Sequence, residues 1–297
     1  MNEFWKWWQN LPGQISPVIF ELGGFKLQYY GLMYLAGFAA IYSLVMYRVK
    51  NKEFNISSNH IESLSTMMII GVLLGGRLGY VIFYNLSYYL KHPLEIFIPF
   101  SFADGITFTG ISGMSYHGGL IGVIAAAWIF SLRNKLDFWE ISDLYVPAVP
   151  LGYTFGRLGN FINGELYGRI TTAPFGMYFP YAPGPALRHP SQLYEAFFEG
   201  IFLFVILWNL RKYNQIRGAM IAFYLMGYGI VRFFIEFFRE PDAHMGFIFL
   251  SFSAGQVLCS AMVIAGAGLY LYLYQENKSR MMLEPVKNSI GYSYKRP

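Results

Sequence analysis

The run SLSTMMIIGVLLGGRLGYVIFYNL, residues 63–86, is apolar over more than the roughly 20 residues a helix needs to cross the hydrocarbon of a bilayer. It carries one ionised side chain, Arg77. An arginine at a helix centre costs about 2.5–3.5 kcal/mol on insertion scales, so it needs a counter-charge or a water-filled cavity. Working outward, six further apolar runs lie at residues 28–48, 116–132, 141–156, 191–210, 217–238 and 248–274. The expectation is an all-α polytopic membrane protein with seven transmembrane helices. The fourth run is short and holds Pro147 and Pro150. It is counted because it makes the charge pattern alternate.

Composition agrees. Of 297 residues 55% are hydrophobic and only 13% charged, against about a quarter charged in soluble domains. The net charge of +5 does not point to nucleic acid, because most basic residues sit in short loops between apolar runs, where they set topology. Thirteen of the 22 Lys and Arg fall at 48–52, 133–135, 211–217 and 278–296. Seven fall on the other side: Lys6, Lys26, Lys91, Arg157, Arg169, Arg188 and Arg239. The remaining two, Arg77 and Arg232, lie within runs. The positive-inside rule then puts the N-terminus outside and the C-terminus in the cytoplasm.

Residues 1–13 hold Trp5, Trp7 and Trp8 without a basic n-region and apolar h-region. They read as an amphipathic segment at headgroup depth, not a cleaved signal peptide. The expected organisation is one integral-membrane domain over 1–275 and a polar, poorly ordered cytoplasmic tail over 276–297. The outer loops 87–115 and 157–190 are long. The second carries Pro174, Pro180, Pro183, Pro185 and Pro190, which exclude a long helix. Leu94 to Phe102 is apolar but too short to span, so it lies in the interface or re-enters. Cys259 is the sole cysteine, which excludes an internal disulfide, and it sits in an apolar run as a core residue.

Gly156-Arg157-Leu158-Gly159-Asn160-Phe161-Ile162-Asn163-Gly164-Glu165-Leu166-Tyr167-Gly168-Arg169 directly follows the fourth run. Its polar density there calls for an anionic partner, and a lipid phosphate is the natural one. Glycines beside Arg157 let a ligand approach the backbone, and a guanidinium fork suits phosphate oxygens. The structural alternative is a topogenic arginine at a helix end. Gly76-Arg77-Leu78-Gly79-Tyr80 echoes this phrase but is too short to establish a repeat.

Tyr228, Arg232 and Glu236 recur every four residues on one helix face, with Arg239 and Glu240 continuing the stripe until Pro241 ends the helix. The alternative for Arg232 and Glu236 is an ion pair that only stabilises. His117 opens the third run and can take a proton near neutrality; the alternative is a capping or interfacial histidine. Ser191 reads as a helix cap with Glu195 on the first turns. Tyr29 and Tyr30 read as belt tyrosines, or as phenols facing a phosphate. There is no HExxH, no paired-His zinc spacing, no GxSxG and no Walker loop. If the chain is an enzyme, a substrate supplies the nucleophile.

Gly156 to Gly168 resembles the signature segment of the bacterial prolipoprotein diacylglyceryl transferases. Four further segments, in order, resemble motifs of that family: Tyr30 to Tyr34, Met114 to Leu120, Arg188 to Glu195 and Tyr228 to Asp242. The resemblance implies an inner-membrane enzyme with seven helices and no metal or organic cofactor. It implies transfer of the diacylglyceryl group of phosphatidylglycerol to the lipobox cysteine of a preprolipoprotein signal peptide, forming a thioether and releasing glycerol 1-phosphate. By motif, Arg157 falls at the phosphatidylglycerol-binding arginine and Arg232 at a second arginine tied to activity. Tyr30, His117, Asn160, Glu165, Gly168, Tyr228 and Glu236 fall at positions tied to function, and Arg239 joins the substrate-binding set. His117 is the nominated base, with Glu165 or water as alternatives. An anion or lipid transporter and a lipid-binding scaffold remain the rival readings.

Overall fold

The computed structural model describes residues 2–22, 25–98, 100–101, 107–108, 113–240, 247–249 and 252–283. The chain divides into two compact units, 49–141 and the remainder, 1–48 with 142–297. The described residues are mostly helical, with three small antiparallel hairpins.

The unit 49–141 is built on two long helices, α3 (Ser58–Tyr84) and α5 (Tyr116–Asn134), with a short helix α4 (Leu86–Tyr89) and a 3-10 turn Pro93–Ile96 between them. Residues 99 and 102 of the short apolar loop segment lie outside the described residues. Glycines every four residues join α3 to α5. A Cβ at Gly75 would stand 2.8 Å from the Gly122 Cα, and one at Gly79 2.7 Å from the Gly118 Cα. Only bare backbone fits, as in small-residue packing between membrane helices. Arg77 donates to the carbonyls of Ile96 (2.8 Å), Glu95 (2.5 Å) and Gly113 (3.4 Å), with its guanidinium 4.9 Å from the Tyr89 ring centre.

In the other unit, α1 (Glu3–Gln14) is a helix with Phe4 and Trp7 half exposed. Its opposite face docks on loop 163–190: Trp8 Nε1 donates to the Phe175 carbonyl (2.9 Å) and Gln9 Nε2 to that of Pro174 (3.0 Å). Trp8 and Leu11 pack against a core of Phe161, Met177 and Phe179. A hairpin, β1 (Val18–Leu22) and β2 (Phe25–Gln28), leads into α2 (Tyr29–Lys50).

The fourth expected span departs from its expected bounds. It is three pieces: α6 (Phe138–Tyr145), a 3-10 turn Val146–Ala148, and α7 (Val149–Ile162). Pro147 and Pro150 supply the break, since each removes a backbone donor. Arg48, at the end of α2, donates to the freed carbonyls of Asp143 (2.7 Å) and Leu144 (2.5 Å). Asp143 in turn accepts from the Gly218 and Met220 amides (2.7 and 3.0 Å), capping the start of α10 (Ala219–Ile235).

Residues 191–210 form one continuous helix, α8 (Ser191–Tyr194) and α9 (Leu203–Leu210) joined by a π-helical stretch, Glu195–Phe202. The last helix, α11 (Ala254–Leu283), runs past the expected start of the tail at residue 276; residues 284–297 lie outside the described residues.

Among the described residues, five helices are long and apolar enough to cross a membrane: Tyr29–Lys50, Ser58–Tyr84, Tyr116–Asn134, Ser191–Leu210 and Ala254–Arg280. The sixth expected span is shorter, 17 residues in α10, and the fourth is broken.

Candidate active site

Arg157 lies inside α7, not after it, because the helix continues to Ile162. Its glycine neighbours therefore do not bare backbone amides to a ligand. Gly159 instead gives room to Tyr30 of α2, whose ring would stand 3.0 Å from an added Cβ; Gly156 faces open space. The Arg157 Nε–H donates to the Tyr153 hydroxyl at 2.7 Å, with the guanidinium carbon 4.8 Å from that ring centre. Glu195 Oε2 is also 2.7 Å from Nε. Among the described residues no hydrogen-bond donor is aligned on that oxygen, so the contact is an ion pair by proximity.

Glu195 has no exposed surface and binds three guanidiniums. Its Oε1 is 2.9 Å from Arg232 Nη1 and 3.3 Å from Arg239 Nη1. Arg232 also pairs with Glu236 (2.9 Å) and Glu199 (3.4 Å). Three arginines and three glutamates thus balance in charge around one buried carboxylate. An uncompensated buried charge would be far costlier. Arg157 and Arg232 do not belong to separate structural pairs; they share Glu195.

Four of these six residues, Arg157, Glu195, Glu199 and Arg232, come from three helical elements: α7, the π-helical stretch and α10. A small-residue contact holds two of these together: Thr154 of α7 meets Gly200 of the π-helical stretch, and the Thr154 hydroxyl donates to the Ala196 carbonyl (3.2 Å). The third, α10, ends at Ile235 with Glu236 as its cap. The expected continuation of the helix to Pro241 is therefore corrected. Arg239 leaves the helix to bridge Gly168, and Arg169 donates to the Arg239 carbonyl at 2.8 Å. Strand-like pairing overrides helical periodicity there, yet the Arg239 side chain still reaches Glu195. Pro241 and Asp242 lie outside the described residues. Glu236 is fixed from its other side by Ser253, whose hydroxyl donates to Oε1 at 3.1 Å. Ser253 and Gln256 form a reciprocal cap at the start of α11, with Ser253 N–H to Gln256 Oε1 at 3.0 Å and Gln256 N–H to Ser253 Oγ at 3.2 Å.

Toward the signature loop, Arg157 Nη1 donates to Asn160 Oδ1 (3.3 Å), and Asn160 Nδ2 donates to Glu165 Oε1 (2.8 Å), which also accepts from Asn163. The Tyr30 hydroxyl, 3.0 Å from that of Tyr34, meets the Asn160 side chain. Tyr228 lies in α10 with its ring 6.0 Å from that of Tyr153. Tyr30, Arg157, Asn160, Glu165, Tyr228, Arg232, Glu236 and Arg239 are thus brought into one network of contacts. Gly168 stands at its edge, pressed between His189 and Phe238, with an added Cβ 2.9 Å from the His189 Cβ.

Ser191 is not the expected cap. It is buried, and its hydroxyl donates to the Leu166 carbonyl (2.9 Å), tying the helix start to the signature loop. His189 lies among Phe175, Tyr194 and Phe238, with Nδ1 3.1 Å from the Tyr194 hydroxyl. Burial holds its pKa below the usual value. His117 belongs to the other unit. It is exposed on the first turn of α5, where the cap is Ser115, not the histidine.

Sequence reasoning missed Tyr153 and Glu199 and underrated Glu195. The available signal was two carboxylates, four residues apart, inside an apolar run of spanning length.

The family model for prolipoprotein diacylglyceryl transferase matches residues 17–272. The phosphatidylglycerol–prolipoprotein diacylglyceryl transferase of Chlorobaculum tepidum is 54% identical over 285 residues, covering 95% of this chain and 99% of that relative. Those of Desulfotalea psychrophila and Bordetella parapertussis are 44% and 46% identical, covering 89% and 87% of this chain and 95% of each relative.

Proposed function

We infer the reaction from two premises: the chain belongs to the prolipoprotein diacylglyceryl transferase family, and its buried ionic cluster gathers the arginines that such chemistry needs. The protein transfers the diacylglyceryl group of phosphatidylglycerol to the lipobox cysteine of a prolipoprotein. The cysteine sulfur attacks the glyceryl carbon, the carbon–oxygen bond to phosphate breaks, and glycerol 1-phosphate leaves with one more negative charge. The thiol proton goes to a base. A free thiol has a pKa of about 8.5, so base assistance raises the thiolate fraction at neutral pH. His117 takes this role in our reading. Glu165 and water are the alternatives; Glu165 Oε1 already accepts from two amides.

Arg157 holds the headgroup in the ground state. Arg232, oriented by Glu236, acts on the departing phosphate, where fixed charges in a water-poor site are most effective. Asn160, Gly168, Tyr228 and Arg239 complete the binding wall, and Tyr30 reaches it from α2. The supporting observation is that Arg157 and Arg232 share one buried carboxylate, which keeps two guanidiniums within reach of one phosphate. The chemistry is carried by a single domain over 1–275, with 276–297 as a cytoplasmic tail. The chain crosses the bacterial inner membrane seven times, N-terminus outside, with the broken α6–α7 segment and the short α10 as the two added crossings.

The test is direct. Purified protein is mixed with phosphatidylglycerol vesicles and a lipobox peptide, and the peptide mass is followed. A thioether-linked diacylglyceryl adduct is expected. Unmodified peptide across several detergents and lipids, with lipid moved between leaflets, would favour a transporter instead.

A further inference from the structure

Tyr153 and Glu199 are absorbed by none of the roles above, yet they close a ring of contacts around the two arginines. The Tyr153 hydroxyl accepts from Arg157 Nε (2.7 Å) and donates to Glu199 Oε2 (2.5 Å). Glu199 Oε1 accepts from Arg232 Nη1 (3.4 Å), and Arg232 returns through Glu195 to Arg157. Tyr153 and Arg157 are four residues apart on α7, and Glu195 and Glu199 four apart on the facing helix, so the two pairs form successive rungs. Gly200 against Thr154 brings the helices close enough for both rungs to be direct. Glu199 is 1% exposed, so it has no solvent to satisfy it.

We propose that Tyr153 and Glu199 are positioning residues that hold the Arg157 and Arg232 guanidiniums in register for one phosphate. Arginine is a long side chain with several free torsions, and its fork is useful only when its plane is set. Tyr153 sets it twice, through the hydroxyl on Nε and the ring beneath the guanidinium. With Nε occupied, the Nη1 and Nη2 edge is the one turned to a ligand. Nη1 carries a 3.3 Å bond to Asn160, and Nη2 has no hydrogen-bond partner among the described residues. Glu199 sets the other arginine, adding to Glu195 and Glu236 a third carboxylate on Arg232.

The proposal rests on the transferase reading and on the division of roles between the two arginines. Its test is steady-state kinetics of Tyr153→Phe, Glu199→Gln and the double variant, with phosphatidylglycerol varied at saturating lipobox peptide. Tyr153→Phe keeps the ring and removes two charge-assisted hydrogen bonds, the one from Arg157 and the one to Glu199. It should raise KM for the lipid about tenfold with kcat within about twofold. Glu199→Gln keeps an acceptor for Tyr153 but loses the charge on Arg232, so it should lower kcat about tenfold and leave KM nearly unchanged. Because the two residues share a hydrogen bond, the double variant should lose less than the product of the single losses. Wild-type KM in Tyr153→Phe, equal effects on KM and kcat in both variants, or independent multiplication would each overturn the proposal. A general packing defect would not split the two constants. If Glu199→Gln does not accumulate, Tyr153→Phe decides alone. Failure of the wild-type protein to lipidate the peptide rejects the transferase reading; a wild type that works beside an unaffected Tyr153→Phe rejects only the brace.

Discussion

Glu195 is fully buried among three guanidiniums, so the shape of each fork matters as well as its charge. Arg157→Lys keeps the charge but loses the planar fork and the Nε–H bond to Tyr153. It is expected to lose most of its lipidation activity, by about a hundredfold or more in kcat/KM, read by peptide mass; near-wild-type turnover would reject fork-like headgroup binding. His117→Gln removes the nominated base. It should lower kcat about a hundredfold and erase the acidic limb of the pH–rate profile. A profile of unchanged shape would move the proton elsewhere.

His189 makes a separate prediction. Its folded pKa lies below the unfolded value of about 6.5. The unfolded chain therefore binds the proton first as pH falls. Full stability holds above about pH 6.5 and declines through the window below it, down to the lowered folded value. Thermal unfolding between pH 7.5 and 5 should show this decline, and His189→Gln should flatten it. An equally steep decline in the variant would assign the effect to other groups.

At the scale of elements, the start of α11 does two things at once. Its reciprocal Ser253–Gln256 cap satisfies helix donors, and the same Ser253 hydroxyl holds Glu236 against Arg232. Ser253→Ala should cost about 1 kcal/mol for the cap and also lower kcat. Ser253→Thr should restore both in the same thermal and kinetic assays. A loss of stability without loss of rate would show that Glu236 needs no such support. The positions of the helices were legible in apolar runs, because length and the absence of charge suffice to mark them. The interior of the fourth run was not: Pro147 and Pro150 warned of a break, but only Arg48 donating to the carbonyls of Asp143 and Leu144 shows how the break is tolerated. The arginines of the site were legible for the same reason, as costly groups in apolar surroundings. Their partners were less so. Tyr153 is an ordinary aromatic in a sequence with 24 tyrosines, and its role depends on a neighbour 46 residues away. The end of α10 at Ile235, ahead of Pro241, was hidden because a long-range bridge from Arg239 to Gly168 sets it.

For the whole molecule, the seven-crossing topology is open to a labelling test that the single native cysteine simplifies. Cys259 is buried, so an introduced thiol reports alone. With Lys6→Cys and Ser279→Cys, both at exposed positions, a membrane-impermeant maleimide on intact cells should label the first and not the second. Labelling of both, or the reverse pattern, would contradict an outside N-terminus and a cytoplasmic C-terminus.

The charged helices also bear on biogenesis. The α6–α7 segment is poorly suited to partition from a translocon unaided, since it is interrupted and bears Arg157. The next segment brings Glu195 and Glu199, and α10 brings Arg232 with Glu236. Nascent segments that leave the channel together can cancel one another's charge before meeting lipid. A cluster shared by three segments thus favours their joint passage into lipid over insertion of the arginine-bearing segment alone.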